Sequence, residues 1–283
     1  VFDILSLKQK KILKKQSIIL VVSENRKTNT YGLYPQTNVN DAATINALST
    51  ITTPKSNGWF LYNNEYYSKL VAKLDAKDYK FDNRTNIING VTYWFKCELI
   101  TWNVLSNKKA NILFYFYIID AYYYDVDSNN YKDSDIRTWL NNDFYNTAFT
   151  LGNEYIQTTT VDNSSLTTHY ASNPYACENT QDKVFLSSYK DYTNSAYGFG
   201  VKPIDDDKAK ECKPTDYARV NGVFCYHGSV IYTNGCYWTR SPYDSSTSDV
   251  SIVYSNGVLA WSMVANDSSC SVRLAFQSKF NCL

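Results

Sequence analysis

Cys212, Cys225, His227 and Cys236 lie close together in the chain, and thiolate and imidazole are the ligands of a zinc site. Tetrahedral sites draw such ligands from close pairs of the C-x-x-C kind, and none of the seven cysteines is so paired. Cys225 and His227 stand two apart, on one face of a strand, where an imidazole could take a thiol proton. No neighbour supplies the third group that would orient them. The expectation is therefore buried, unreactive thiols, with Cys225 and Cys236 able to bridge in an oxidising compartment. His169 and His227 are the only histidines, which limits acid–base chemistry near neutral pH.

Asp125, Asp127, Asn129, Tyr131 and Asp133 alternate as calcium ligands do in a helix–loop–helix site. Asn130 stands where the glycine should be and Ile136 where a bidentate glutamate should close the sphere, so a solvated turn explains the run. Asp205 to Asp207 reads as a solvated acidic loop. No G-x-S-x-G, phosphate-binding or dinucleotide fingerprint occurs. No catalytic residue, metal or cofactor is assigned.

The elements that position these residues are mostly strands. The chain contains 26 tyrosines against one methionine, and rings with a polar edge suit half-buried sheets. Tyr93–Cys97, Ile100–Leu105 and Ile112–Ile119 predict three strands, the last one central. Asn63 and Asn64 predict a tight hairpin turn, and Asn256–Gly257 a second. Asp182–Tyr189 predicts another strand, and 198–214 an irregular stretch. Asn40 or Asp41 caps a short helix carrying Ile45 and Leu48 on one face. Ser134 caps a second, with Asp135 in its first turn and Ile136, Trp139 and Leu140 on one face.

A length of 283 residues predicts one main domain over 31–283, preceded by a basic extension or remnant of an upstream region over 1–30. The first residue is Val1, which predicts a fragment or processed chain, and its apolar run is too short to span a bilayer, so no transmembrane segment is expected. A net charge of +1 offers no basic face for nucleic acid, which is excluded as a partner.

The series "YGLYPQT", "NGWFLYNNEYYSKL", "GVTYWFKCELITWNVL", "SDIRTWLNNDFYNTAF", "DKVFLSSY", "YWTRSP" and "SVRLAF" spans Tyr31 to Phe276. In this order it resembles a bacterial family of unknown function related to the C-type-lectin-like fold of formylglycine-generating enzymes and of variable proteins diversified by retroelements. The resemblance implies an irregular α+β domain with short antiparallel sheets and two or three helices, its last strands supporting exposed loops. It also implies an extracellular or cell-surface location. Formylglycine-generating enzymes use a cysteine pair, and Cys270 lies beside Ser271 and Arg273 with no partner at a matching position.

Three functional readings follow as expectations. The first is a noncatalytic module, displayed on a bacterium or phage, that binds protein or glycan through C-terminal loops carrying Asp244, Ser245, Ser246, Ser248, Tyr254, Trp261, Asn266, Asp267 and Ser268. Serine, asparagine and large rings make adaptable contacts at modest ordering cost. The alternatives are a cysteine- or metal-dependent enzyme of the formylglycine-generating type and a purely structural segment. Trp139, Trp238, Arg240 and Arg273 are assigned to the scaffold. One of Tyr237 and Trp238 should enter the core, and Arg240 should meet a carboxylate or loop carbonyl.

Overall fold

Tyrosine-rich strands with one polar edge must bury their rings between layers, and the chain does so with two main sheets, beside two-stranded ribbons of which one joins β12 (Tyr226–His227) to β13 (Val230–Ile231). The computed structural model describes residues 20–23, 26–74, 78–107, 110–150, 156–223, 225–227, 230–231, 233–259 and 261–278. The larger sheet has nine strands. Its path runs β1 (Leu20–Ser23), β2 (Arg26–Asn38), β5 (Thr92–Asn107), β6 (Ala110–Tyr115), β18 (Leu274–Ser278) and β11 (Phe185–Leu186). β4 (Glu65–Val71) adds to β5 and carries β3 (Phe60–Tyr62), while β8 (Ile156–Gln157) adds to β18. β2 passes without interruption through positions 30 and 31, where the sequence reading starts the domain.

The two strands expected over 93–105 are one. Glu98 and Leu99 stay in the ladder opposite Tyr34 and Leu33, and the irregularity falls on β2, at Thr30/Leu33 and Pro35/Thr37. Gly32 has a positive φ of 83° and Pro35 lacks an N–H, so β2 absorbs the extra residues as bulges. The strand expected to reach Ile119 ends at Tyr115. Ile118 N then donates to Lys213 O and Ile119 N to Val272 O, turning the chain into β7 (Asp120–Ala121) of the second sheet. A wholly apolar run can be buried in either sheet, so its pattern does not mark the crossing. Asn63 and Asn64 form the expected two-residue turn, with φ of 48° and 62°.

The second sheet orders β16 (Trp261–Val264), β15 (Asp249–Val253), β14 (Tyr237–Pro242), β17 (Ser271–Val272) and β7, all antiparallel except β14 beside β17. Tyr237 and Trp238 both enter the core, because β14 has rings packed on each face. Tyr192 lies 5.5 Å from Tyr237, and Tyr124 lies 5.7 Å from Trp238. The stretch 182–189 divides. β10 (Thr180–Asp182) pairs with β9 (Thr159–Val161), and Asn141 Oδ1 takes the Lys183 and Val184 amides before β11 begins. β15 and β16 form the second expected hairpin, though with a longer connection. There Gly257, at φ 83°, lies so close to the Asp207 backbone that a Cβ could not fit.

Helix α1 (Ala42–Ser49) is capped by Asp41. α2 (Asp135–Trp139) is capped by Ser134 and runs through a π-turn, Leu140–Phe144, into α3 (Tyr145–Ala148). α4 (Asp216–Val220) was not expected, although Thr215 followed by Asp216 is a readable cap. The chain is thus a mixed α+β protein with mostly antiparallel sheets and few helices. Among the described residues no helix is long and apolar enough to cross a membrane.

Candidate functional site at the loop end of the smaller sheet

β14 ends, β15 begins and β16 ends at one end of the smaller sheet, so the β14–β15 turn and the segment after β16 meet there. The β14–β15 turn is closed by Tyr243 N donating to Asp249 O at 2.9 Å. Buried Asn129 holds it from below: Nδ2 donates to Ser246 O at 2.7 Å and to Asp249 O at 3.0 Å, and its backbone N donates to Thr247 O at 2.9 Å. The segment after β16 joins the same support. Ala265 N donates to Ser248 O, and Ala265 O accepts from Tyr124 N and Asp125 N.

The run that alternates like a calcium loop is therefore a buttress. Asp125 Oδ1 accepts from Asp127 N and Ser128 N, and Oδ2 accepts from Asp135 N, so its carboxylate is occupied by backbone donors. Among the described residues no group of three or more His, Cys, Asp or Glu converges to hold a metal ion.

A third loop, 162–179, is tied across the end of β14. Arg240 Nε and Nη2 donate to Asp162 O, while Nη1 donates to Leu186 O and pairs with Asp191 Oδ2, each at 2.9 Å. The expected carboxylate and carbonyl partners are both present. Asn173 Nδ2 reaches Pro242 O, and Ser241 Oγ reaches Thr167 O. The His169 ring stacks on Tyr189 at 4.8 Å and meets Tyr170 at 4.1 Å, with Tyr170 exposed beyond it.

Seven of the nine ligand-binding positions assigned from sequence gather here. Ser245, Asn266 and Ser268 are exposed, and Asp244, Ser246, Ser248 and Asp267 are half-buried. Ser246 and Ser248 hydroxyls lie 3.2 Å apart, and Asp267 Oδ1 accepts from Ser269 N and Oγ. Tyr254 and Trp261 lie elsewhere. Tyr254 closes the far end of the β15–β16 hairpin, and Trp261, 60% exposed, pairs with Ile252 on the edge strand. Three residues of strand, about 10 Å, separate Trp261 from Val264 at the loop end.

The scaffold residues are deeper. Trp139 stacks on Tyr122 at 4.9 Å, and fully buried Trp238 donates from Nε1 to Tyr122 O. Arg273 is held by neutral acceptors: Nε donates to Tyr115 O, and Nη1 to Tyr237 Oη and Lys210 O. Exposed Leu166 and Tyr170 were missed by sequence reasoning, and Asn129 was read only within a failed calcium loop. The length and Asn/Ser/Thr content of 162–179 were the available signal.

The described cysteines Cys97, Cys177, Cys212, Cys225, Cys236 and Cys270 are all free. Burial pushes the thiols of Cys212 and Cys225 up to about 11 and that of Cys236 to about 12, and carries Cys270 well above its ordinary range. They stay protonated near neutral pH. The His227 side chain and Cys282 lie outside the described residues.

A small, mostly antiparallel sheet with three braced loops at one end defines the class: an α+β domain with a loop-built surface. Residues 109–279 match the domain of unknown function DUF6273, and the chain belongs to that family. No curated protein and no solved structure matches it.

Proposed function

We propose that this chain is a noncatalytic recognition module of C-type-lectin-like architecture, working on the outside of a bacterium or phage, that binds protein or glycan through the loop end of its smaller sheet. The observation that carries the reading is Asn129. A buried amide that holds the carbonyls of Ser246 and Asp249 fixes a turn whose Ser245 and Thr247 remain exposed. Braced loops that keep their polar side chains outside are pre-organised for contact, which lowers the ordering cost of binding. The exposed set is small and mostly uncharged, which suits a hydroxyl- or amide-bearing surface.

Arrays of bacterial polysaccharides and purified surface proteins, screened with the whole chain, test the proposal. A ligand found this way should be lost with Ser245→Arg or Asn266→Arg and kept with Lys69→Ala on the larger sheet. A ligand indifferent to both arginine substitutions would refute the loop end as the site.

A further inference from the structure

Asp120 is a buried carboxylate that the loop platform does not use. It sits on β7, where the smaller sheet, the larger sheet and α4 meet. Its Oδ2 accepts from Tyr34 Oη of β2 at 2.7 Å. Its Oδ1 accepts from Ala121 N at 2.9 Å and from Nδ2 of Asn221, the residue capping α4, at 2.7 Å. Asn221 Nδ2 also reaches Ala121 O.

The described surroundings hold no paired counter-charge. Tyr217 of α4 packs edge-on against Tyr34 at 5.7 Å, and the Cys97 thiol of β5, raised by burial, stays neutral. The charged groups of α4 are engaged on other partners. Asp216 accepts from Asn38 N and Asp82 N, and Arg219 pairs with Asp82 and donates to Thr233 O. Lys213, just before α4, also pairs with Asp82. Among the described residues no Lys, Arg or His forms an ion pair with Asp120. An ionised Asp120 is thus held by neutral donors alone, inside a junction of three elements.

We propose that the Tyr34–Asp120–Asn221 junction is a proton-operated latch, which holds α4 and β7 on the larger sheet when Asp120 is protonated and lets them open more readily when it is ionised. Oδ1 already accepts two N–H groups, so the proton resides on Oδ2 and the bond to Tyr34 reverses, the phenol oxygen accepting.

Burial pushes the Asp120 carboxyl up to about 6. In the opened state it returns to about 3.9. The folded group thus holds its proton over an interval in which the opened group has lost it. Opening becomes easier as pH rises from about 4 to about 6 and levels off above, with a ceiling of roughly 100-fold. This inference does not depend on the recognition reading.

Hydrogen exchange of the whole chain, corrected for intrinsic rates, tests it across that window. Opening at α4, Ala121 and Asn221 should rise up to roughly 100-fold with pH in the unaltered protein and stay flat in Asp120→Asn, which retains every hydrogen-bond position. Tyr34→Phe removes the donor facing Oδ2 and should move the transition to higher pH. A flat profile in the unaltered protein overturns the proposal, whether or not the variants fold. So does the same rise in Asp120→Asn.

Discussion

Replacing Asn129 tests the physical basis of the loop surface. Asn129→Ala removes two side-chain donors from part-buried carbonyls. Asp249 O keeps Tyr243 N, so the loss falls mainly on Ser246 O. One net hydrogen bond and one carbonyl left short of a partner amount to about 2 kcal/mol. Asn129→Asp has nearly the same shape but sets a carboxylate oxygen against both carbonyls. That change should cost about 4 kcal/mol near neutral pH, shrinking under acid as the carboxyl takes up a proton that can donate again. Urea denaturation followed by tryptophan fluorescence reads the difference, and Asn129→Asp should be the more damaging of the two. If the aspartate variant proves as stable as the parent, or milder than the alanine variant, the amide does not donate to those carbonyls and the bracing argument fails.

Arg240→Met strips the ion pair from Asp191 and leaves the carbonyls of Asp162 and Leu186 without their donor, so unfolding free energy should fall by about 3 to 5 kcal/mol. A loss under about 1 kcal/mol would mean that water replaces the arginine. Gly257→Ala forces a methyl against the Asp207 backbone at a positive φ, and should cost more than about 2 kcal/mol by thermal or chemical denaturation. Iodoacetamide labelling of the native protein near pH 8 should modify the half-buried Cys177 before Cys212, Cys236 or Cys270, as read by peptide mass spectrometry. Prompt labelling of Cys270 would reopen the cysteine-enzyme reading.

Local chemistry was legible where it is decided by neighbours. The Asn63–Asn64 turn and the Ser134 and Asp41 caps depend on residues within a few positions, so the sequence names the first two directly and narrows the last to Asn40 or Asp41. The passage from β6 to β7 did not show, because Phe116 to Ile119 is apolar throughout and the switch of sheets is made by Lys213 and Val272, far along the chain. The loop site was legible in part for the same reason. Seven of its residues follow the rigid Tyr237–Pro242 strand, whereas Tyr254 and Trp261, close in sequence, are carried away by the hairpin. Asn129 was visible only as a failed calcium ligand. Its role depends on carbonyls of Ser246 and Asp249, which come beside it only in the folded chain.

On the proposed function, ligand meets the loop end and not the far end of the β15–β16 hairpin. Hydrogen-exchange protection by a ligand identified on the arrays measures this directly. Slowed exchange is expected at 162–179, 243–248 and 265–269, with 254–259 and 203–207 unchanged. Protection confined to the Tyr254 end, with the three braced loops untouched, would contradict it.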